Sequence, residues 1–196
     1  MEGLEAVEAT PEGHPSEALM LDSLGNYKYL KVQYQRTGNL SDLEAAISQL
    51  EAVLEATPED HPERIRILHS LGNDWSSRYT RTENLKDLGT AIAWAEAAVE
   101  ATPEDHPDRP VMLNNLGKQF SSKYERTENL HDLEAAIARS KAAIEAIPKD
   151  HPHRPVWLNN LGVYLSRRSD RTGDLEDLKA AIVQLEAAVE ATPEGM

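Results

Sequence analysis

Histidine is the residue whose type and spacing come closest to a chemical site in this 196-residue chain. His14, His61, His106 and His151 recur at intervals of 47, 45 and 45 residues. A zinc site needs three or four ligands brought together, and these histidines have no second ligand at i+4. His153 lies close to His151, but two imidazoles alone do not make a site. We therefore interpret the series as turn residues and predict that the chain holds no metal.

Carboxylates are the second candidate for chemistry. Many Asp and Glu pairs occur, but they recur at equivalent positions, whereas catalytic carboxylates need distinct environments that separate their pKa values. The chain has no cysteine, which excludes disulfides, thiolate metal sites and cysteine nucleophiles. We predict that the protein is not an enzyme and needs no cofactor.

Charge and hydropathy limit the partners. The chain has 34 acidic and 20 basic residues and a net charge of −14, which argues against nucleic acid because phosphate binding requires a basic surface. No apolar run is long enough to span a membrane, and no secretory segment follows Met1. The predicted location is the cytoplasm, and the predicted partner is a protein or peptide.

Internal repetition dominates the sequence. Leu-Gly recurs at Leu24, Leu71, Leu116 and Leu161, and Arg-Thr recurs with a constant period of 45 residues from Arg36. Residues 58–102 and 103–147 share 26 of 45 positions, which indicates duplication. The chain divides into the end of a preceding helix (1–10) and repeats at 11–57, 58–102, 103–147 and 148–196, the first with two extra residues between Leu24 and Arg36.

Each repeat predicts two helices, A and B. Helix B has apolar residues at intervals of three and four from Leu85 to Val99 and an Asn N-cap at Asn84, and helix A buries Leu113, Leu116, Phe120 and Tyr124. Asp60-His61-Pro62-Glu63 has the spacing of a capping box, whereas Pro110 and Pro155 predict helix starts near Asp108 and His153. The Leu-Gly glycines, Gly25 included, predict close approach of helix A to the small residues of helix B.

Short helix pairs must bury their apolar faces on their neighbours. The predicted fold is all-α, a right-handed α-solenoid of tandem antiparallel helix pairs with a 45-residue period. Each repeat has two helices, with Leu-Gly in the first and Ala-Ile followed by a proline in the second. This pattern resembles the tetratricopeptide repeat (TPR). The closest resemblance is to the kinesin-light-chain-like subclass with long repeats, and it lies in the segment between repeats, where Asp105-His106-Pro107 runs into Leu113-Asn114-Asn115-Leu116-Gly117. Similar long repeats occur in arrays of fungal and bacterial signalling proteins.

The resemblance implies peptide binding on the concave face, which the A helices line. Helical spacing puts one polar residue stripe on this face in each repeat. The candidate groove residues are Asp22, Asn26, Arg66, His69, Asn73, Asn114, Lys118, Ser121, Asn159 and Ser166. In the kinesin-type family the corresponding asparagines hold cargo peptides; alternatively, one Asn of each pair bonds the neighbouring repeat.

Three aromatic residues break the repeat pattern. Tyr27, Tyr29 and Trp94 are candidates for exposed interface anchors, or they cover an open end or a packing gap. The turns from helix A to helix B are basic and the turns from helix B to helix A are acidic. These charges either complement helix dipoles or steer partners.

The predicted function is a non-enzymatic scaffold that binds an extended peptide in the concave groove. The alternative is a structural array that self-associates end to end through uncapped terminal helices, within a larger signalling protein.

Overall fold

The structure is a computed structural model that describes the backbone of residues 15–192 and the side chains of residues 21–192. This part of the chain is all-α and contains eight helices and no strand. The helices are α1 (Pro15–Thr37), α2 (Leu40–Ala56), α3 (Glu63–Thr82), α4 (Leu85–Ala101), α5 (Arg109–Thr127), α6 (Leu130–Glu145), α7 (Arg154–Thr172) and α8 (Leu175–Glu190). The helix expected before residue 11, as well as His14, lies outside the described residues.

The helices form two compact units, residues 1–67 and 68–196, whose boundary falls within α3. In the first unit α1 packs against α2. In the second, α5 packs against α4 and α6, and α7 packs against α6 and α8. Consecutive helices therefore pack in the manner of a helical-repeat solenoid.

The turn from each A helix to its B helix is the same local structure four times. Gly38 and Gly173, with φ of 67° and 75°, and Glu83 and Glu128, each with φ of 54°, adopt the left-handed conformation that ends helix A. The next residue, Asn39 in the first turn, accepts a hydrogen bond from the backbone N–H two residues later. Its counterparts Asn84, Asn129 and Asp174 do the same, so the predicted N-caps are confirmed.

The aspartate of the first turn of helix B does more than complement the helix dipole. Asp87, Asp132 and Asp177 are 3%, 2% and 7% exposed, and each forms an ion pair with a cation nine residues earlier, near the end of helix A. The pairs are Arg78–Asp87 (2.7 Å), Lys123–Asp132 (3.0 Å) and Arg168–Asp177 (2.6 Å). Each pair ties the end of helix A to the start of helix B.

Three Leu-Gly glycines lie at helix crossings, as expected. A Cβ on Gly72 would lie 3.1 Å from the backbone N of Ala95, and one on Gly162 would lie 2.7 Å from Leu185. Gly25 is different, because a Cβ there has nothing within 4 Å. α1 is continuous, so the two extra residues rotate Gly25 away from the contact, and Tyr27 takes the helical position equivalent to Gly72. The expected equivalence of Gly25 was therefore wrong.

The repeated histidines have a structural role in the turns that precede the A helices. In the first of these turns His61 takes the part that the predicted capping box assigns to Asp60. The imidazole Nδ1 of His61 accepts a hydrogen bond from the backbone N–H of Glu63, and His106 and His151 do the same two residues ahead. Asp108 and His153 are the N-caps of α5 and α7, as the prolines predicted. Each histidine thus binds a backbone donor near the start of helix A.

An arginine at the start of helix A bonds the end of the preceding helix B, a contact that the sequence did not predict. Arg64 donates from Nη1 to the carbonyl oxygens of Leu54 and Thr57, at 3.1 and 2.7 Å. Arg109 and Arg154 bond the equivalent carbonyls of α4 and α6 and of the turns that follow them. The ends of the B helices lack a basic residue of their own, so the next A helix supplies the cation that satisfies them.

The predicted core residues of helix A, and those of helix B after its first turn, are buried. Leu85 is the exception, because it is 43% exposed at the start of α4. On α8 the apolar face remains exposed: Leu178, Ile182 and Val189 are 40%, 48% and 75% exposed. Their counterparts on α6, Leu133, Ile137 and Ile144, are at most 7% exposed, and α6 is the helix on which α7 packs.

Candidate peptide-binding groove

A polar cavity lies between helices α3 and α5, within the second unit. Its volume is about 330 Å³, which is enough for one side chain of a partner. The lining residues are Asn73, Ser76, Ser77 and Thr80 from α3 and Asn115, Lys118, Gln119 and Ser122 from α5. Lys118 is the one charged residue among them. We call this cavity the α3–α5 notch.

His69 holds two amides at the notch. Its Nε2 lies 3.1 Å from Nδ2 of Asn73 and 3.4 Å from Nδ2 of Asn115. An amide nitrogen is a donor, so Nε2 accepts and the imidazole is neutral with its proton on Nδ1. Burial lowers the pKa of His69, against an opposing attraction from Asp108, and this direction agrees with a neutral ring. His69 therefore orients both asparagines, while each amide keeps an oxygen and a second N–H.

Asn115, and not the predicted Asn114, is the asparagine of the α5 pair that lines the notch. Asn114 is 6% exposed, and Asn115 lines the notch. Adjacent residues on a helix are about 100° apart around its axis, so one step moves an amide from the groove into the interior. The expectation for Asn114 is corrected in favour of Asn115.

The architecture has counterparts of known structure. A crystal structure described as "kinesin light chain nearly identical TPR-like repeats", from Podosopora anserina, superimposes with a TM-score of 0.55 and 16% identity, over 91% of this chain and 88% of that one. The fold is TPR-like. A single-residue variant of those repeats matches with the same TM-score and identity, and a de novo designed helical repeat protein matches with a TM-score of 0.46 and 14% identity. Neither a protein-family model nor a curated protein sequence matches the chain.

Four other predicted residues lie in the second unit of this TPR-like chain. Lys118 is exposed at the notch, whereas Ser121 is buried beneath Arg167, whose Nη1 donates to its Oγ at 3.1 Å. Ser166 is half-buried on α7. Asn159 is exposed and lines a separate apolar cavity of about 350 Å³ together with Leu185 and Val189.

Three predicted residues lie in the first unit. Asp22 and Asn26 are exposed on α1. Arg66 is exposed on α3 and pairs with Glu63 at 3.1 Å. Their participation in one groove with His69 remains a prediction.

The unusual aromatic residues divide between surface and packing positions. Tyr29 is 61% exposed, whereas Tyr27 and Trp94 are half-buried. Trp157 at the start of α7 is buried beside His151 and His153, with ring centroids 5.7 and 6.0 Å away. Of the three predicted anchors, Tyr29 is the one most open to a partner.

Most basic residues at the ends of the A helices form ion pairs with other residues of this chain. Arg126 pairs with Glu83 at 3.3 Å and Arg171 with Glu128 at 3.5 Å, so each cation lies against the left-handed glutamate of the preceding repeat. Together with the three Asp pairs described above, these contacts give most of the basic residues at the ends of the A helices an acidic partner. Lys118, by contrast, forms no ion pair with a residue that the structure describes.

Other kinds of site are not seen in the described residues. No group of three or more His, Asp or Glu side chains between residues 21 and 192 is placed to hold a metal ion. No described helix is long and apolar enough to cross a membrane.

Proposed function

We propose that this protein is a non-enzymatic interaction scaffold that binds an extended peptide along the A helices α3, α5 and α7, with the α3–α5 notch at the centre of the binding surface. The helical-repeat fold supports a role in protein interaction, and folds of this kind are generally non-catalytic. The observation that carries the proposal is the pair of amides, Asn73 and Asn115, held by one neutral imidazole.

Amides suit an extended peptide because they supply a donor and an acceptor together. A peptide backbone presents both at each residue, so a fixed amide can bond it without reading its side chains. His69 limits the rotation of the two amides, and this preorganisation reduces the entropy that binding would otherwise cost. Hydroxyls of Ser76, Ser77 and Ser122 add further donors and acceptors.

The test is selection of a binding peptide from a random library, followed by titration calorimetry with variants. We expect Asn73→Ala/Asn115→Ala to weaken binding about thirtyfold, because two hydrogen bonds are lost at about 1 kcal/mol each. His131→Ala, at an exposed position on the B helix α6 and away from the notch, is the control and should bind normally. Equal affinities of the double variant and the parent would exclude this groove.

A second candidate, self-association, is favoured by the exposed apolar face of α8. Leu178, Ile182 and Val189 correspond to residues of α6 that are buried where α7 packs on that helix. Another molecule of this chain can cover them in the same way. Light scattering across a concentration series should then show a mass that rises in steps, and Ile182→Glu should hold the protein as a monomer. Ala138→Glu, at an exposed position on α6, should assemble like the parent. A parent chain that is monomeric throughout would exclude this candidate.

A further inference from the structure

We propose that the exposed apolar face of α8 is a dimer interface, in which α8 packs antiparallel against α8 of a second copy of this chain, about a two-fold axis near Ile182. This inference rests on the self-association that is the second candidate above, and it names the surface of the partner and the size of the assembly. Three observations carry it: the apolar face itself, the poor fit of α1 to this face, and the charges along its edge.

The apolar face of α8 holds half of the large hydrophobic side chains that are exposed between residues 21 and 192. Ten such side chains are exposed, and five of them belong to this one helix: Leu175, Leu178, Ile182, Val183 and Val189. Four of the five are spaced by three, four and seven residues, so they lie on one side of the helix, which is the pattern of a coiled-coil seam. A continuous exposed face of this kind marks an interaction surface.

The helix α1 of a second copy is a poor occupant of this face. Internal A helices dock on the preceding B helix with an arginine that lies three residues after the turn histidine and bonds carbonyl oxygens at the end of that helix. Glu17 stands three residues after His14. A carboxylate at this place is repelled by the carbonyl oxygens that end a helix.

Asp22 is a second mismatch on α1. Met112 of α5 is 3% exposed, and its Sδ lies 3.4 Å from the hydroxyl of Thr102 at the end of α4. In the register that gives Tyr27 the place of Gly72, Asp22 takes the place of Met112. A head-to-tail stack of α1 on α8 would therefore bury a carboxylate where the internal repeats bury an apolar side chain. The second copy's α8, which carries the same apolar row, is the better partner.

Charges along the edge of the face select the antiparallel arrangement. Lys179 and Glu186 lie on the same edge, three residues before and four residues after Ile182. In an antiparallel pair, Lys179 of each copy meets Glu186 of the other, whereas a parallel pair brings like charges together. Both side chains are exposed, and Glu186 forms no ion pair with a residue that the structure describes.

The same arrangement matches the apolar row to itself. Leu178 and Val189 lie on opposite sides of Ile182 along the helix, so each meets the other across the two-fold axis. Both copies use the same surface, and such an interface is closed, so assembly stops at two chains.

The experiment is sedimentation equilibrium of the full chain across a concentration series. We expect the mass to rise from that of one chain to that of two and to stop there. Lys179→Glu and Glu186→Lys should each weaken dimerisation about tenfold, because the pair occurs twice in each dimer and attraction becomes repulsion. Lys86→Glu makes the same change of charge at an exposed position on α4 and should dimerise like the parent.

A mixture of the two weakened variants tests the geometry. In a heterodimer of Lys179→Glu with Glu186→Lys, one edge carries two acidic groups and the other two basic groups, so both pairs attract. We expect this heterodimer to form at least tenfold more tightly than either variant alone.

The possible failures are distinguishable. A dimer that is insensitive to both reversals, or a mixture no tighter than its components, overturns the antiparallel pairing but leaves self-association intact. Growth beyond two chains overturns the pairing in favour of a head-to-tail stack. A parent chain that is monomeric throughout overturns the pairing and self-association together, and it leaves peptide binding in the groove untouched.

Discussion

Replacing Arg168 with methionine should lower the free energy of unfolding by about 3 kcal/mol at neutral pH, because it leaves a buried carboxylate without its cation. Arg168 donates from Nε and from Nη2 to the two carboxylate oxygens of Asp177, each at 2.6 Å. The side chains are 26% and 10% exposed. Urea unfolding followed by circular dichroism at pH 7 measures the loss.

The control is Lys179→Met on the neighbouring helix. Lys179 pairs with Glu176 at 2.7 Å, but the two side chains are 70% and 79% exposed, so water already screens the charges. We expect a change of about 0.5 kcal/mol or less. If both variants lose the same small amount, the buried pairs are not what joins helix A to helix B.

The pH dependence of the Arg168 effect has a definite sign. The hydrogen bond from Arg168 lowers the pKa of Asp177 below its ordinary value of 3.8, although burial opposes this. A lowered pKa in the folded state stabilises the protein above 3.8, and the stabilisation disappears as the pH falls through the folded-state pKa. The difference between parent and Arg168→Met should therefore shrink under acid conditions.

Replacing Gly72 with valine should cost about 2 kcal/mol, because the added atoms meet the backbone of α4. A Cβ there would lie 3.1 Å from the N of Ala95 and 3.3 Å from the O of Ala91. Backbone atoms within a packed helix cannot move aside as the end of a flexible side chain can. The free energy of unfolding from urea titration provides the measurement.

Gly25→Ala is the comparison, and its effect should have the opposite sign. Gly25 is also in the middle of an A helix, but a Cβ on it has nothing within 4 Å. Alanine should stabilise α1 by about 1 kcal/mol through helix propensity alone. If Gly25→Ala and Gly72→Val are both destabilising, the repeated glycines serve a purpose other than close helix approach.

The amino-acid sequence by itself determined the repeats, the helix ends and the N-caps of the B helices. The hydrogen bond that Asn84 accepts comes from a residue two positions along the chain, and proline restricts the residue beside it, so these features depend on neighbours in sequence. The burial of helix faces also followed, since apolar spacing of three and four defines one side of a helix.

Only the tertiary structure decided which side chain of a polar run reaches the groove. Asn114 and Asn115 are identical in type and adjacent in sequence, and the rotation of α5 against its neighbours buries the first and presents the second. The notch itself depends on Ser122 of one repeat lying against α3 of another, and Gly25 lost its expected contact through a rotation of α1. Local hydrogen bonds follow from nearby residues, whereas the rotation of a helix about its own axis is fixed by packing with helices remote in sequence.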